Sequence, residues 1–213
     1  MIQVNTFTFN QFQENTYVLV CTQTRCCAII DPGCSNRQEE NMLVDFIEKN
    51  QLQPTLLLNT HCHIDHVLGN TFIADKYQLP LHLHKDELFT YRDANKWCAM
   101  LGIAPLAIPE SLKYIDETMT VEFGNCMLQI AFTPGHSIAS ICFYNLAESI
   151  CISGDVLFYE SIGRTDLPGG NFETLIQSIK NTLFAWPDEM KIYPGHGPSS
   201  TIGHEKSFNP FVS

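Results

Sequence analysis

Positive charge is scarce in this chain: 213 residues carry 12 Lys and Arg against 23 Asp and Glu, a formal net charge of −11. That shortage disfavours a nucleic-acid partner, because affinity for phosphate backbones comes largely from Lys and Arg that displace counterions. Long apolar runs are absent as well. None approaches the roughly 18 residues that a bilayer span requires, and Met1 to Asn10 has neither a basic n-region nor an apolar h-region. A soluble, cytoplasmic protein with no membrane partner is the expectation. There is no Gly-x-Gly-x-x-Gly or Walker-type loop to cradle a nucleotide, no tandem repeat and no low-complexity segment. The nine cysteines are odd in number, and without an export signal they read as reduced core residues and not as a disulfide framework.

What is present is a mixed α/β pattern. Residues 2–9 alternate apolar and polar, and 16–22 and 26–30 continue the strand signal. A helix is expected over 36–49, where Met42, Leu43, Phe46 and Ile47 recur at helical spacing. The run 55–58 reads as a buried strand ending in Asn59-Thr60-His61. Helices are expected from Asp65 to about Tyr77, over 86–101 and over 172–184, and further strands at 81–83, 119–123, 126–132, 139–144, 150–153 and 191–193. At about 150 residues per domain, the length favours one domain spanning 1–213. Strand runs with single helices, in two halves, fit a layered αββα sandwich.

The chemistry concentrates in His61-Cys62-His63-Ile64-Asp65-His66, which places three imidazoles and a carboxylate within six residues. Polar turns favour Gly, Asn, Asp and Ser, not three histidines. An extended backbone sends His61 and His63 to one side, and a turn into a helix lets Asp65 and His66 address a second position. One loop cannot complete two coordination spheres. His136 in Pro134-Gly135-His136, Asp155 in Ser153-Gly154-Asp155 and His196 in Pro194-Gly195-His196 are the further candidates, each at a strand end and each preceded by glycine. Imidazole and carboxylate suit zinc, and equally iron or manganese.

This order of motifs resembles the metallo-β-lactamase-fold hydrolases along nearly the whole chain, and within them the short, single-domain glyoxalase II-like (hydroxyacylglutathione hydrolase-like) group. Asn59-Thr60-His61, Gly69-Asn70 and the run Ser161 to Gly170 carry the closer resemblance. It implies a four-layer αββα sandwich with two divalent metal ions, zinc in the first instance. One ion is held by His61, His63 and His136, the other by Asp65, His66 and His196, and Asp155 bridges both. It further implies hydrolysis of a small-molecule thioester by a metal-bridging hydroxide, with Asp65 both a ligand and the catalytic group that orients the nucleophile. After His196 only 17 residues remain (213 − 196), so no C-terminal glutathione-binding helical domain is expected.

Gly163-Arg164-Thr165-Asp166 is similar to an element of persulfide dioxygenases, which keeps a mononuclear iron oxygenase as the alternative. A non-catalytic metal-binding module is a further one. A β-lactamase is disfavoured by Asp155 and by the lack of an export signal, and an RNA-processing nuclease by the charge. Tyr159 and Arg164 are candidate substrate contacts, although Arg164 reads first as a partner of Asp166 that rigidifies the loop. His82 and His84 read as a hydrogen-bonded surface pair on one face of a strand, and His204 as a polar residue at an element boundary. Trp97, Met100 and Leu101 read as a core face of their helix, with roofing the site as the alternative.

Overall fold

A computed structural model describes residues 1–212. The chain opens with β1 (Ile2–Phe9) and β2 (Glu14–Cys21), an antiparallel hairpin whose register runs from Ile2↔Cys21 to Phe9↔Glu14. Its tip is turned by left-handed Asn10 and Gln13, at φ 52° and 57°. β3 (Cys26–Ile30) follows, then α1 (Arg37–Lys49), whose N-cap Asn36 accepts from the backbone N–H groups of Gln38 and Glu39. β4 (Gln53–Leu58), α2 (Ile64–Val67), α3 (Asn70–Tyr77), β5 (Leu81–Leu83), α4 (Glu87–Leu101) and β6 (Leu112–Tyr114) complete a first half. Its six strands form one sheet in sequential order, β1 to β6.

The second half contains β7 (Thr120–Phe123), β8 (Cys126–Phe132), β9 (Ile141–Asn145) and β10 (Ile150–Gly154). A small hairpin of β11 (Leu157–Phe158) and β12 (Ser161–Ile162), α5 (Phe172–Asn181), a 3-10 turn, β13 (Lys191–Pro194), β14 (Ser200–Thr201) and α6 (Ile202–Phe208) follow. Its larger sheet has the order β14-β13-β10-β9-β8-β7.

Side-chain alternation explains the stacking. β2 is buried along its whole length because both of its faces are covered. Tyr17 and Leu19 enter a core between the two sheets with Leu128, Ile130, Phe143 and Ile152. Val18 and Val20 point the other way, onto Leu43 and Ile47 of α1 and Ile73 of α3. Behind the second sheet, Cys151 and Ile192 pack on Leu175 and Ile179 of α5 and Ile202 of α6. Three cores between four layers make the expected αββα sandwich. All nine cysteines are free thiols, and all but Cys26 are buried. No helix among the described residues is long and apolar enough to cross a membrane.

Several local expectations are corrected. The helix expected from Asp65 to Tyr77 is broken at Gly69, whose N–H donates to Pro32 O at 2.7 Å, tying the loop to the Asp31-Pro32-Gly33 turn. The helix expected to 184 ends at Asn181 and continues as a 3-10 turn. His82 is buried with Nδ1 3.1 Å from Leu57 O, so it forms no surface pair with His84, which lies against Phe132. His204 sits inside α6, its N–H capped by Thr201 Oγ1. On α4 the buried face is Tyr91, Ala94 and Cys98, whereas Trp97 and Met100 are exposed.

Candidate metal centre

All seven residues singled out as ligands meet where strand ends of the two sheets converge. β4 delivers His61 and His63 on extended backbone, and α2 then turns Asp65 and His66 inward within its first turn. The second sheet supplies His136 after β8, Asp155 after β10 and His196 after β13. Gly154 adopts φ +50°, and a Cβ there would come within 2.4 Å of Thr60 Oγ1, so the two sheets touch here only because that side chain is missing. The side-chain nitrogens of His61, His63 and His136 lie within 4.8 Å of one another, and the ligand atoms of Asp65, His66 and His196 do likewise. Asp155 stands between the groups: Oδ1 is 3.4 Å from His66 Nε2, and Oδ2 is 3.5 Å from both His136 Nε2 and His196 Nε2.

Outward-facing partners set which ring nitrogen points inward. Thr60 Oγ1 donates to Asp31 Oδ2 at 2.6 Å and lies 3.1 Å from His61 Nδ1, which places the His61 proton on Nδ1. His136 Nδ1 donates to Arg164 O at 2.8 Å, and His196 Nδ1 donates to Phe12 O at 3.1 Å. His61 and His136 therefore turn Nε2 lone pairs toward each other across 3.2 Å, and His63 Nδ1 lies 2.8 Å from the same His136 nitrogen. Two acceptors at that separation repel unless a cation sits beside them. Burial pushes the His61 pKa well down and takes His63 to about 3, so both imidazoles are neutral and able to offer a lone pair to a cation.

The second group demands positive charge. Burial lowers the His66 pKa, but Asp155 and Asp65 outweigh it and hold the value well above the ordinary one. His196 is likewise raised by Asp65 and Asp155 against its burial. Burial raises the Asp155 pKa, yet His66, His136 and His61 bring it well below the usual carboxylate range. His66 Nε2 and Asp155 Oδ1 are buried without hydrogen-bond partners. Neutral nitrogens on one side, the Asp65 carboxylate among imidazoles on the other and Asp155 between them are a donor set that fits a pair of divalent cations. Asp31 is also near His61 and His66, but its oxygens already accept from Thr60 and Asn59, which makes it a support and not a ligand.

Two supports were not anticipated from the sequence. Glu87, fully buried at the start of α4, accepts from Cys62 N at 2.8 Å, Ser137 Oγ at 2.6 Å and Ala139 N at 2.9 Å, joining the His61–His66 loop to the His136 loop. Glu14, also fully buried, accepts from Thr16 Oγ1 and lies 3.8 Å from His66 Nδ1. In sequence both are ordinary surface-type acids. Of the expected substrate contacts, Arg164 lines the cavity over the site, with its guanidinium bound to Asp166. Tyr159 does not line it; its ring stacks on His204 at 4.8 Å between centroids, and its neighbour Phe158 faces the cavity instead. Phe158 is the last residue of β11, whereas Tyr159 lies in the turn that leads into β12, with left-handed Glu160 after it. The cavity, about 580 Å³, opens over His63, Asp65, His136, Asp155 and His196.

A layered αββα sandwich with histidine and aspartate clusters at its strand ends defines a metallohydrolase class, and the chain belongs to the metallo-β-lactamase superfamily, whose profile matches residues 9–201. Among named relatives it is 36% identical to the probable metallo-hydrolase YqgX of Bacillus subtilis, over 94% of this chain and 93% of that one. It is 32% identical to the hydroxyacylglutathione hydrolase GloC of Haemophilus influenzae, over 95% of this chain and 94% of that one. Among solved structures, BLEG-1 B3 metallo-β-lactamase superposes with a TM-score of 0.87 at 32% identity, covering 99% of this chain and 100% of that one. TTHA1623 in a di-iron-bound form gives 0.87 at 34% identity, covering 98% and 100%.

Proposed function

We propose that this metallohydrolase is dinuclear and cleaves acyl thioesters. The observation that carries the reading is the convergence of His61, His63 and His136 nitrogens beside a carboxylate shared with His66 and His196, at the floor of a cavity. The likeness to GloC supports the thioester as substrate. His61, His63 and His136 would hold one ion, Asp65, His66 and His196 the other, and Asp155 both. When bound, such ions lower the pKa of water toward neutrality and polarise a carbonyl.

The chain's own residues supply the rest. Asp65, 3.1 Å from His196 Nε2 and only partly exposed, has its pKa lowered: burial opposes this, but His66 and His196 prevail. It is therefore an ionised acceptor able to orient an attacking water. Thr60, Arg164 O and Phe12 O fix three imidazole rings before substrate arrives, so little reorganisation accompanies the reaction. A thiolate leaves near neutral pH without a strong general acid.

The test is metal analysis together with steady-state hydrolysis. Two ions per chain and turnover of lactoylglutathione or a simpler thioester are expected, with Asp155→Ala losing both metal and activity. Retention of full activity and metal content by Asp155→Ala would sink the reading. One iron per chain with oxygen uptake on a persulfide would replace it with the oxygenase alternative. Preferential hydrolysis of a cephalosporin would favour the activity named for BLEG-1.

A further inference from the structure

α4 presents a second stripe besides its buried face. Phe89, Asp93, Trp97 and Leu101 recur every four residues and line the cavity. Phe89 and Trp97 are 56% and 40% exposed, unusually open for large aromatic side chains. Across the cavity, Phe12 from the β1–β2 tip and Phe158 from β11 face them. Such apolar walls above a few convergent polar groups are what small-molecule sites are built from.

Charge is arranged differently from what an anionic substrate needs. Among the described residues no lysine, and no arginine besides Arg164, lines this cavity. Both nitrogens that Arg164 presents to Asp166 are taken, Nε by Oδ1 and Nη2 by Oδ2, each at 2.7 Å. The acid on the α4 stripe, Asp93, is paired with Lys96. Glutathione brings two carboxylates, which would lose hydration against phenylalanine and tryptophan and meet on the cavity walls only Arg164, already paired with Asp166.

We propose that the α4 stripe and the hairpin tip form a subsite for an apolar, uncharged arm of the substrate. The site then prefers thioesters of neutral thiols with aliphatic or aromatic acyl groups over glutathione thioesters. This rests on the thioester reading above. Trp97 is the principal specificity residue, and Asp166 denies Arg164 to a substrate carboxylate.

The test uses metal-replete protein and two stable thioethers, S-hexylglutathione and S-hexyl-N-acetylcysteamine, titrated by tryptophan fluorescence. Trp97 is the reporter, since Trp186 stacks on Tyr144 behind the second sheet. The neutral thioether is expected to bind at least fivefold more tightly. In hydrolysis, Trp97→Ala is expected to narrow the kcat/KM ratio of hexanoyl to lactoyl N-acetylcysteamine thioesters by about tenfold. Asp166→Asn is expected to raise kcat/KM for lactoylglutathione about threefold. Equal or tighter binding of S-hexylglutathione, or an unchanged acyl ratio in Trp97→Ala, overturns the subsite. If no thioester is hydrolysed while the binding order stands, the thioester reading fails and the apolar subsite survives. If lactoylglutathione is the best substrate of all, the subsite fails and the thioester reading stands.

Discussion

At the scale of the residue, Glu87 shows how one buried carboxylate positions two loops. It is acceptor-only and receives three donors, from Cys62, Ser137 and Ala139. Glu87→Gln turns an amide N–H toward at least one of those donors. Metal affinity should fall about 10–100-fold, read by competition with a chelator, and stability by about 1–3 kcal/mol. A variant that loses stability but keeps its metal affinity would make Glu87 structural only. His61 and His63 enter the pH response with folded pKa values that burial puts below the unfolded value of 6.5, His63 at about 3, whereas Asp65 and Asp155 shift His66 and His196 the other way against their burial. Groups shifted in that direction contribute stability fully above the unfolded value and lose it as pH falls toward the folded one. Metal-stripped His63→Gln should therefore lose less melting temperature, relative to metal-stripped wild type, between pH 7.5 and pH 5. A slope that is unchanged in the variant would contradict the assignment. The clustering of the candidate ligands was legible in the sequence because histidine is rare in ordinary turns. Glu87 was not, since Lys85-Asp86-Glu87 has the composition of a solvated helix start and nothing local reveals its burial.

Elements carry their own constraints. The loop that brings His136 to the site leaves β8 through Gly135 at φ +127°, where a Cβ would meet Leu175 N at 2.3 Å and Leu175 Cα at 2.4 Å. Gly135→Ala must move backbone against α5, and a cost of about 2–5 kcal/mol is expected. Gly102 lies beyond α4 at φ +67°, and a Cβ added there would meet nothing within 4 Å, so Gly102→Ala should cost only about 1 kcal/mol of backbone strain. Chemical denaturation of both variants gives the comparison, and equal losses would refute it. Element positions were readable where periodicity was sustained, as in β1, α1 and β8. A short element such as β6 is fixed by pairing with β5, a contact remote in sequence. The stripe on α4 was ambiguous for a related reason: Trp97 has the same composition whether it faces a core or roofs a cavity, and only the neighbouring sheet decides.

For the whole molecule, the order of motifs made the four-layer architecture legible, while the docking of one half on the other depended on contacts no local pattern encodes. Glu14 forms a β-bridge with His196, and Asn15 Nδ2 donates to Pro194 O at 3.1 Å and Gly197 O at 2.9 Å. Tyr17 Oη donates to Pro194 O at 2.6 Å as well. Ions that bind ligands from both halves should stabilise the folded state by about 4 kcal/mol at a thousandfold excess over Kd. That corresponds to a Tm gain of about 10 °C for a chain of this size. Calorimetry before and after chelation, with restoration by added zinc, iron or manganese, measures it. An unchanged Tm with ions shown to bind would contradict a centre that spans the halves.

The hairpin tip has one further consequence. Phe12 offers its ring to the cavity and its carbonyl to His196, while Asn10 holds the tip to the other end of the centre by donating to Gly33 O and Asp65 O. One residue is thus both cavity wall and support of His196, so a Phe12 substitution that shifts the tip backbone is expected to alter the orientation of that imidazole as well as the shape of the vestibule.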